Sequence, residues 1–169
     1  MGSKMTLQVD SREKRHAIDK ILSEFDRQGI TWFVSKLPYG DYISYDNPRL
    51  VIDRKQNLSE ICNNVVQDHD RFARELEGAK KLGIHMVVLI EHSRNIKTLS
   101  DVINWVNPRL RVSPMAVSGE RLFKILTTMQ SNKEKFDVEF QFCDKNNTGK
   151  RIIEILSSPV HGGAEKPDA

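Results

Sequence analysis

Apolar residues recur along this chain in two alternating rhythms, one with the spacing of a helix and one with that of a strand. Ala17, Ile18, Ile21, Leu22 and Phe25 keep helical spacing within residues 14–28, and Gly29 closes that segment. Residues 58–66 predict a second helix with Asn57 or Ser59 as its N-cap. Phe72, Leu76 and Ala79 form one stripe of a third helix over 71–82, ended by Gly83. Leu122, Phe123, Leu126 and Met129 give a helix over 118–131 its apolar face, and 99–106 and 148–156 predict shorter helices. Strands are predicted at 6–10, 30–34 and 138–142, and a β-hairpin joins 42–45 to 50–55 around Asp46-Asn47-Pro48. Residues 86–91 are apolar up to Ile90 without alternation. That is how a strand buried on both faces reads, so the class is α/β with this strand near the centre of the sheet. Residues 108–114 read as extended or loop.

Composition narrows the class. The length of 169 residues fits one domain. Lys plus Arg is 26 and Asp plus Glu 23, so the net charge is +3, which permits a nucleic-acid partner without demanding one. Hydrophobic residues make up 38% and charged residues 29%, the balance of a globular domain. The longest apolar run is far too short to span a bilayer, so no membrane role is expected. Cys62 and Cys143 are too few for a disulfide framework or a four-cysteine zinc site and read as reduced packing residues of a cytoplasmic protein, nucleoid-associated if the source is prokaryotic or phage. The opening Met1-Gly2-Ser3-Lys4 formally fits a myristoylation pattern but reads as an expression scar before a second Met. The expected division is 1–5 scar, 6–158 folded domain and 159–169 flexible tail.

The chemistry sits on the hairpin. Along a strand, residues i and i+2 share a face, so Val51, Asp53 and Lys55 project together while Ile52 and Arg54 point the other way. Asp41 lies at the start of the partner strand, and an antiparallel hairpin folds that start back beside Asp53. Two carboxylates so close repel unless a divalent cation neutralises them, and hard oxygen donors suit Mg²⁺ or Mn²⁺. Lys55 can then hold a water or a phosphate as a point charge. Taken alone, Asp53-Arg54-Lys55 reads as an exposed edge-strand ion pair rather than a site. The flanks change this: Asp10 ends a strand, Glu13 follows it, and Arg71 and Glu75 share a helix face at i and i+4. That last pair is either a surface ion pair or a phosphate contact beside a carboxylate that holds water.

In order, the chain reads Val9-Asp10-Ser11-Arg12-Glu13, then Gly40-Asp41-Tyr42, then Asp53-Arg54-Lys55, then Arg71 and Glu75. This series resembles the nuclease domain of the XPF-type structure-specific endonucleases, a branch of the PD-(D/E)xK superfamily. The resemblance covers about half the chain. It implies a restriction-endonuclease-like three-layer α-β-α fold around a central mixed sheet, and a divalent-metal-dependent DNA endonuclease acting on branched or single/double-strand junction DNA. By that likeness Asp41 and Asp53 are metal ligands, with the Arg54 carbonyl as a third. Lys55 is the catalytic lysine, and Asp10, Glu13, Arg54, Arg71 and Glu75 support the site. The chain departs from the family in carrying Asp53 where Glu is usual, which shifts the metal by one methylene. No pair of helix-hairpin-helix motifs is evident, so DNA grip and a homodimer, or a partner subunit, stay open.

The competing class is a non-catalytic DNA- or partner-binding module that keeps the nuclease fold. His16, His69, His85, His92 and His161 show no metal spacing. Trp32 and Trp105 read as core, Tyr39, Tyr42 and Tyr45 as hairpin packing. Lys145, Lys150 and Arg151, at the start of the last helix, read equally as phosphate contacts or a solvated helix end.

Overall fold

The computed structural model describes residues 5–92 and 95–158. Six strands form one mixed sheet: β1 (Thr6–Val9), β2 (Thr31–Val34), β3 (Tyr42–Ser44), β4 (Asn47–Lys55), β5 (His85–His92) and β6 (Val138–Asp144). Their spatial order is β2-β1-β3-β4-β5-β6. β1 pairs in parallel with β2 and antiparallel with β3, β3 pairs antiparallel with β4, and β4, β5 and β6 run parallel. The C-terminal ends of β4, β5 and β6 therefore lie along one edge of the sheet, as parallel pairing requires.

Helices cover both faces. α2 (Leu58–Val66), α3 (His69–Lys81) and α4 (Gly119–Ser131) pack on one side against Val51, Met86, Val88 and Ile90. α1 (Asp19–Arg27) and α5 (Thr148–Ser157) pack on the other against Leu50, Ile52, Val87 and Leu89. The three-layer expectation holds, and β5 is buried on both faces as its unbroken apolar run requires. Each such side chain contributes roughly 1.5–3 kcal/mol by leaving water, so this strand anchors the two layers to each other.

Local signals set most boundaries. Asn57 caps α2 by accepting from the Glu60 amide, and Ser118 caps α4 by accepting from the Arg121 amide. Three segments differ from expectation. Residues 14–28 are not one helix: a 3₁₀ turn (Arg15–Ile18) precedes α1, because Lys14 is extended and Ile18 lies outside helical geometry. Residues 99–106 form a 3₁₀ segment (Leu99–Asn104) held by a Thr98–Asp101 capping box. Pro108–Arg111, expected as extended or loop, is a 3₁₀ turn begun by the Asn107 side chain accepting from the Arg109 amide. β4 starts earlier than expected and includes Pro48, which precedes the ladder to β5 that begins at Leu50. The expected scar at Met1–Lys4, Arg94, and the expected tail with His161 lie outside the described residues. Among the described residues no helix is long and apolar enough to cross a membrane.

Candidate active site

The Gly40-Asp41 turn places the first acid. Gly40 has φ +69°, and a Cβ there would overlap the Val51 side chain and meet the Ile52 carbonyl at 3.0 Å. Only glycine meets both demands. Asp41 is then bracketed by backbone bonds: its amide donates to Ile52 O at 2.8 Å, and its carbonyl accepts from the Asp10 amide at 2.8 Å. Its Oδ2 accepts from the Arg54 amide at 2.8 Å.

Asp53 faces Asp41 across this turn, within hydrogen-bond reach. Burial pushes the Asp41 carboxyl well above the usual carboxylate range. The charges of Asp53 and Glu13 add to the rise, and the Arg54 amide opposes it. Lys55 lies on the same face, its Nζ 3.3 Å from Asp53 Oδ2 and 5.4 Å from the centre of the Phe72 ring. The hairpin thus brings two carboxylates and one ammonium together as its alternation predicts.

Beside Lys55 lies a polar depression of about 140 Å³ lined by Lys55, Asn64, Asp68, Arg71, Phe72 and Glu75. Arg71 Nε lies 3.6 Å from Glu75 Oε1, with the two side chains 77% and 53% exposed. Both are therefore free to reach a ligand while they form a surface ion pair. Asn64 Oδ1 is buried at this wall and has no hydrogen-bond partner in the protein, an acceptor that calls for a donor from solvent or ligand.

The other predicted site residues are not on this surface. Arg54 turns to the opposite face of the sheet, where Nε donates to Glu13 Oε2 at 2.9 Å and Nη1 pairs closely with Glu91 Oε1. The Tyr42 hydroxyl donates to Glu13 Oε2 at 2.9 Å, and the Thr148 hydroxyl donates to Glu91 Oε2 at 2.6 Å. Burial pushes the Tyr42 phenol up, and Glu13 adds to this. Glu13 and Arg54 therefore belong to a buried network under the site. Asp10 is 1% exposed and accepts from the Leu37 amide at 2.8 Å and from Arg12 Nε at 2.8 Å. It anchors a loop and holds Arg12, whose guanidinium lies near enough to Asp41 and Glu75 to feel both charges.

Arg12, Asn64, Glu91 and Thr148 were absent from the expected site. Arg12 was visible inside the Val9–Glu13 motif. Glu91 carried a signal of its own, a lone carboxylate ending an otherwise apolar strand. Asn64 and Thr148 had none. His69 Nδ1 meets Val65 O at 3.1 Å. Trp105 is core, whereas Trp32 is half-exposed, its Nε1 donating to Asp26. Both cysteines are free thiols, Cys62 in the core and Cys143 3.6 Å from the Thr148 hydroxyl. Among the described residues no cluster of three or more His, Cys, Asp or Glu side chains is arranged around a metal position. The donor set at the hairpin is the Asp41–Asp53 pair, whose mutual repulsion and hard oxygens suit a small divalent cation.

Compared with known protein families, residues 9–148 match the ERCC4 domain. This chain belongs to the ERCC4 domain family. The matched span of the ERCC4 domain runs from the last residue of β1 to the start of α5, so it includes every residue of the hairpin site and of the network beneath it. Two solved structures share the fold. XPF from Aeropyrum pernix superposes with a TM-score of 0.61 at 16% identity, covering 89% of this chain and 63% of that one. The same protein in complex with DNA gives 0.60 at 17% identity, covering 90% and 64%. This ERCC4 domain thus spans just under two thirds of the length of those structures. No curated protein matches the chain by sequence.

Proposed function

We propose that this ERCC4 domain is a divalent-metal-dependent DNA endonuclease that hydrolyses phosphodiester bonds at branched or single/double-strand junction DNA. The observation that carries the reading is the meeting of Asp41 and Asp53 with the Lys55 ammonium at the mouth of the β3–β4 hairpin. The family and the fold shared with a DNA-bound XPF support DNA as the partner.

Asp41 and Asp53 would hold Mg²⁺ or Mn²⁺, with the Arg54 carbonyl as a further donor. A cation there supplies an acidified water and charge neutralisation at a phosphoryl oxygen. The chain's own groups do the rest. Lys55, pinned by Asp53 and Phe72, presents a fixed positive charge to the scissile phosphate. Glu75 accepts from a water in the adjoining depression, and Arg71 meets a neighbouring phosphate from its exposed position. Arg12, held by Asp10, adds a second guanidinium near the acids. Asp10, Glu13 and Arg54 hold the backbone that carries the ligands.

The test is cleavage of forked, flap and linear DNA with Mg²⁺ or Mn²⁺, comparing wild type with Asp53→Ala. Cutting of junction substrates that the variant loses supports the reading. DNA binding without cutting under every condition favours instead a non-catalytic DNA- or partner-binding module that keeps the fold. A partner subunit or homodimer is part of the proposal only as a source of added DNA grip.

A further inference from the structure

Beneath the sheet, a line of buried polar groups, Thr148, Glu91 and Arg54, runs from α5 to the acid pair. We propose that Glu91 and Thr148 are positioning residues for the cation site: they lock the Arg54 guanidinium from below and so fix Asp41 and Asp53 above. This rests on the reading of Asp41 and Asp53 as the cation pair.

The geometry makes the connection continuous. Arg54 sits between Asp53 and Lys55 on β4, and neighbouring strand residues point to opposite faces. Any roll of the strand at Arg54 therefore tilts both functional side chains. Its amide also holds Asp41 Oδ2 at 2.8 Å, so the same peptide unit reaches both acids. The Arg54 side chain is 5% exposed, and its orientation is set by Glu13 on one side and Glu91 on the other. Glu91 is equally buried, and its second oxygen is taken by the Thr148 hydroxyl at 2.6 Å, which stops the carboxylate from turning. Thr148 opens α5, where Gly149 lies so close to α1 that a Cβ would meet Glu24 Cβ at 2.8 Å and Ile21 O at 3.1 Å. The hydroxyl therefore stands on a rigid seat. Outer partners of this kind tune metal affinity by holding the ligands in place.

Thr148→Val removes the hydroxyl at constant shape, Thr148→Ser restores it, and Glu91→Gln removes the charge. The protein without DNA is titrated with Mn²⁺ by calorimetry, and hydrogen exchange is read at the Arg54 amide against the Val88 amide of β5. Thr148→Val is expected to bind Mn²⁺ about tenfold more weakly and to lose protection at Arg54 while Val88 stays protected. Thr148→Ser is expected to match wild type in both, and Glu91→Gln to exceed Thr148→Val if it folds. Wild-type Mn²⁺ affinity in Thr148→Val, or loss of protection at Arg54 and Val88 together, overturns the proposal and leaves these residues a stabilising role only. A wild-type protein that takes up no Mn²⁺ defeats the cation reading instead, and the Arg54-against-Val88 comparison then decides the positioning claim.

Discussion

The amide of Arg54 donates to the Asp41 carboxylate at 2.8 Å, so the acid of the turn is tied to the strand that carries the second acid before any ligand arrives. Together with the backbone bonds that bracket Asp41, it keeps the two carboxyls within reach of one another, and burial, with the charges of Asp53 and Glu13, makes the Asp41 carboxyl resist ionisation.

Replacing Asp41 by Asn keeps an oxygen for the Arg54 amide and removes the repulsion from Asp53 and Glu13. The sign follows from the raised Asp41 value. In the cation-free fold this carboxyl holds its proton more tightly than in the unfolded chain, so above the unfolded value its ionisation costs stability. Asp41→Asn is therefore expected to be more stable at neutral pH, on the order of 1 kcal/mol, and to lose Mn²⁺ binding and cleavage. Urea unfolding and a metal titration on the same sample check both parts.

Gly40→Ala should be costly. A left-handed conformation costs a side-chain-bearing residue about 1–2 kcal/mol, and the added carbon also overlaps Val51. Urea unfolding should show a loss of about 2 kcal/mol or more, with cleavage reduced even at temperatures where the variant stays folded.

Lys55 tests the division of labour. Lys55→Met keeps the packing against Phe72 and removes the charge, so Mn²⁺ affinity should change little while kcat falls by about 100-fold or more. Lys55→Arg should fail to restore the rate, because a planar fork does not replace a compact ammonium between Asp53 and the ring. Steady-state kinetics on a junction substrate separates these effects.

Arg71→Ala removes an exposed ion pair and should move stability by less than about 0.5 kcal/mol. If the side chain meets a phosphate, DNA affinity drops and the slope of log affinity against log salt falls by about 1. Fluorescence anisotropy at several salt concentrations reads this directly.

At the far end of β5, His85 is clamped between Asp137 Oδ1 and Glu139 Oε1, each at 2.7 Å. Burial pushes the imidazole down, but the bonds to Glu139 and Asp137 outweigh it and the net shift is upward from the ordinary 6.5. The folded state therefore binds the proton more tightly. The clamp's contribution is complete below pH 6.5 and is lost as pH rises through the higher folded value. Urea midpoints should fall across this window in wild type, and the fall should be absent in His85→Gln.

The sequence by itself determined most of the helices and strands and half of the site. The unbroken run before Glu91 announced a strand buried on both faces, because no solvated face was available to alternate. The period of two along β4 put Asp53 and Lys55 together, and the hairpin's short span forced Asp41 beside them, since local chain geometry leaves no other place for it. What the tertiary structure decided was everything joined across long separations. It sent Glu13 beneath the sheet, paired Arg54 with Glu13 and Glu91 and Glu91 with Thr148, and put Asn64 at the wall of the depression beside Lys55. Those contacts depend on strand order and helix seating. Neither is written in local spacing, because buried polar groups choose partners by position in space and not by distance along the chain.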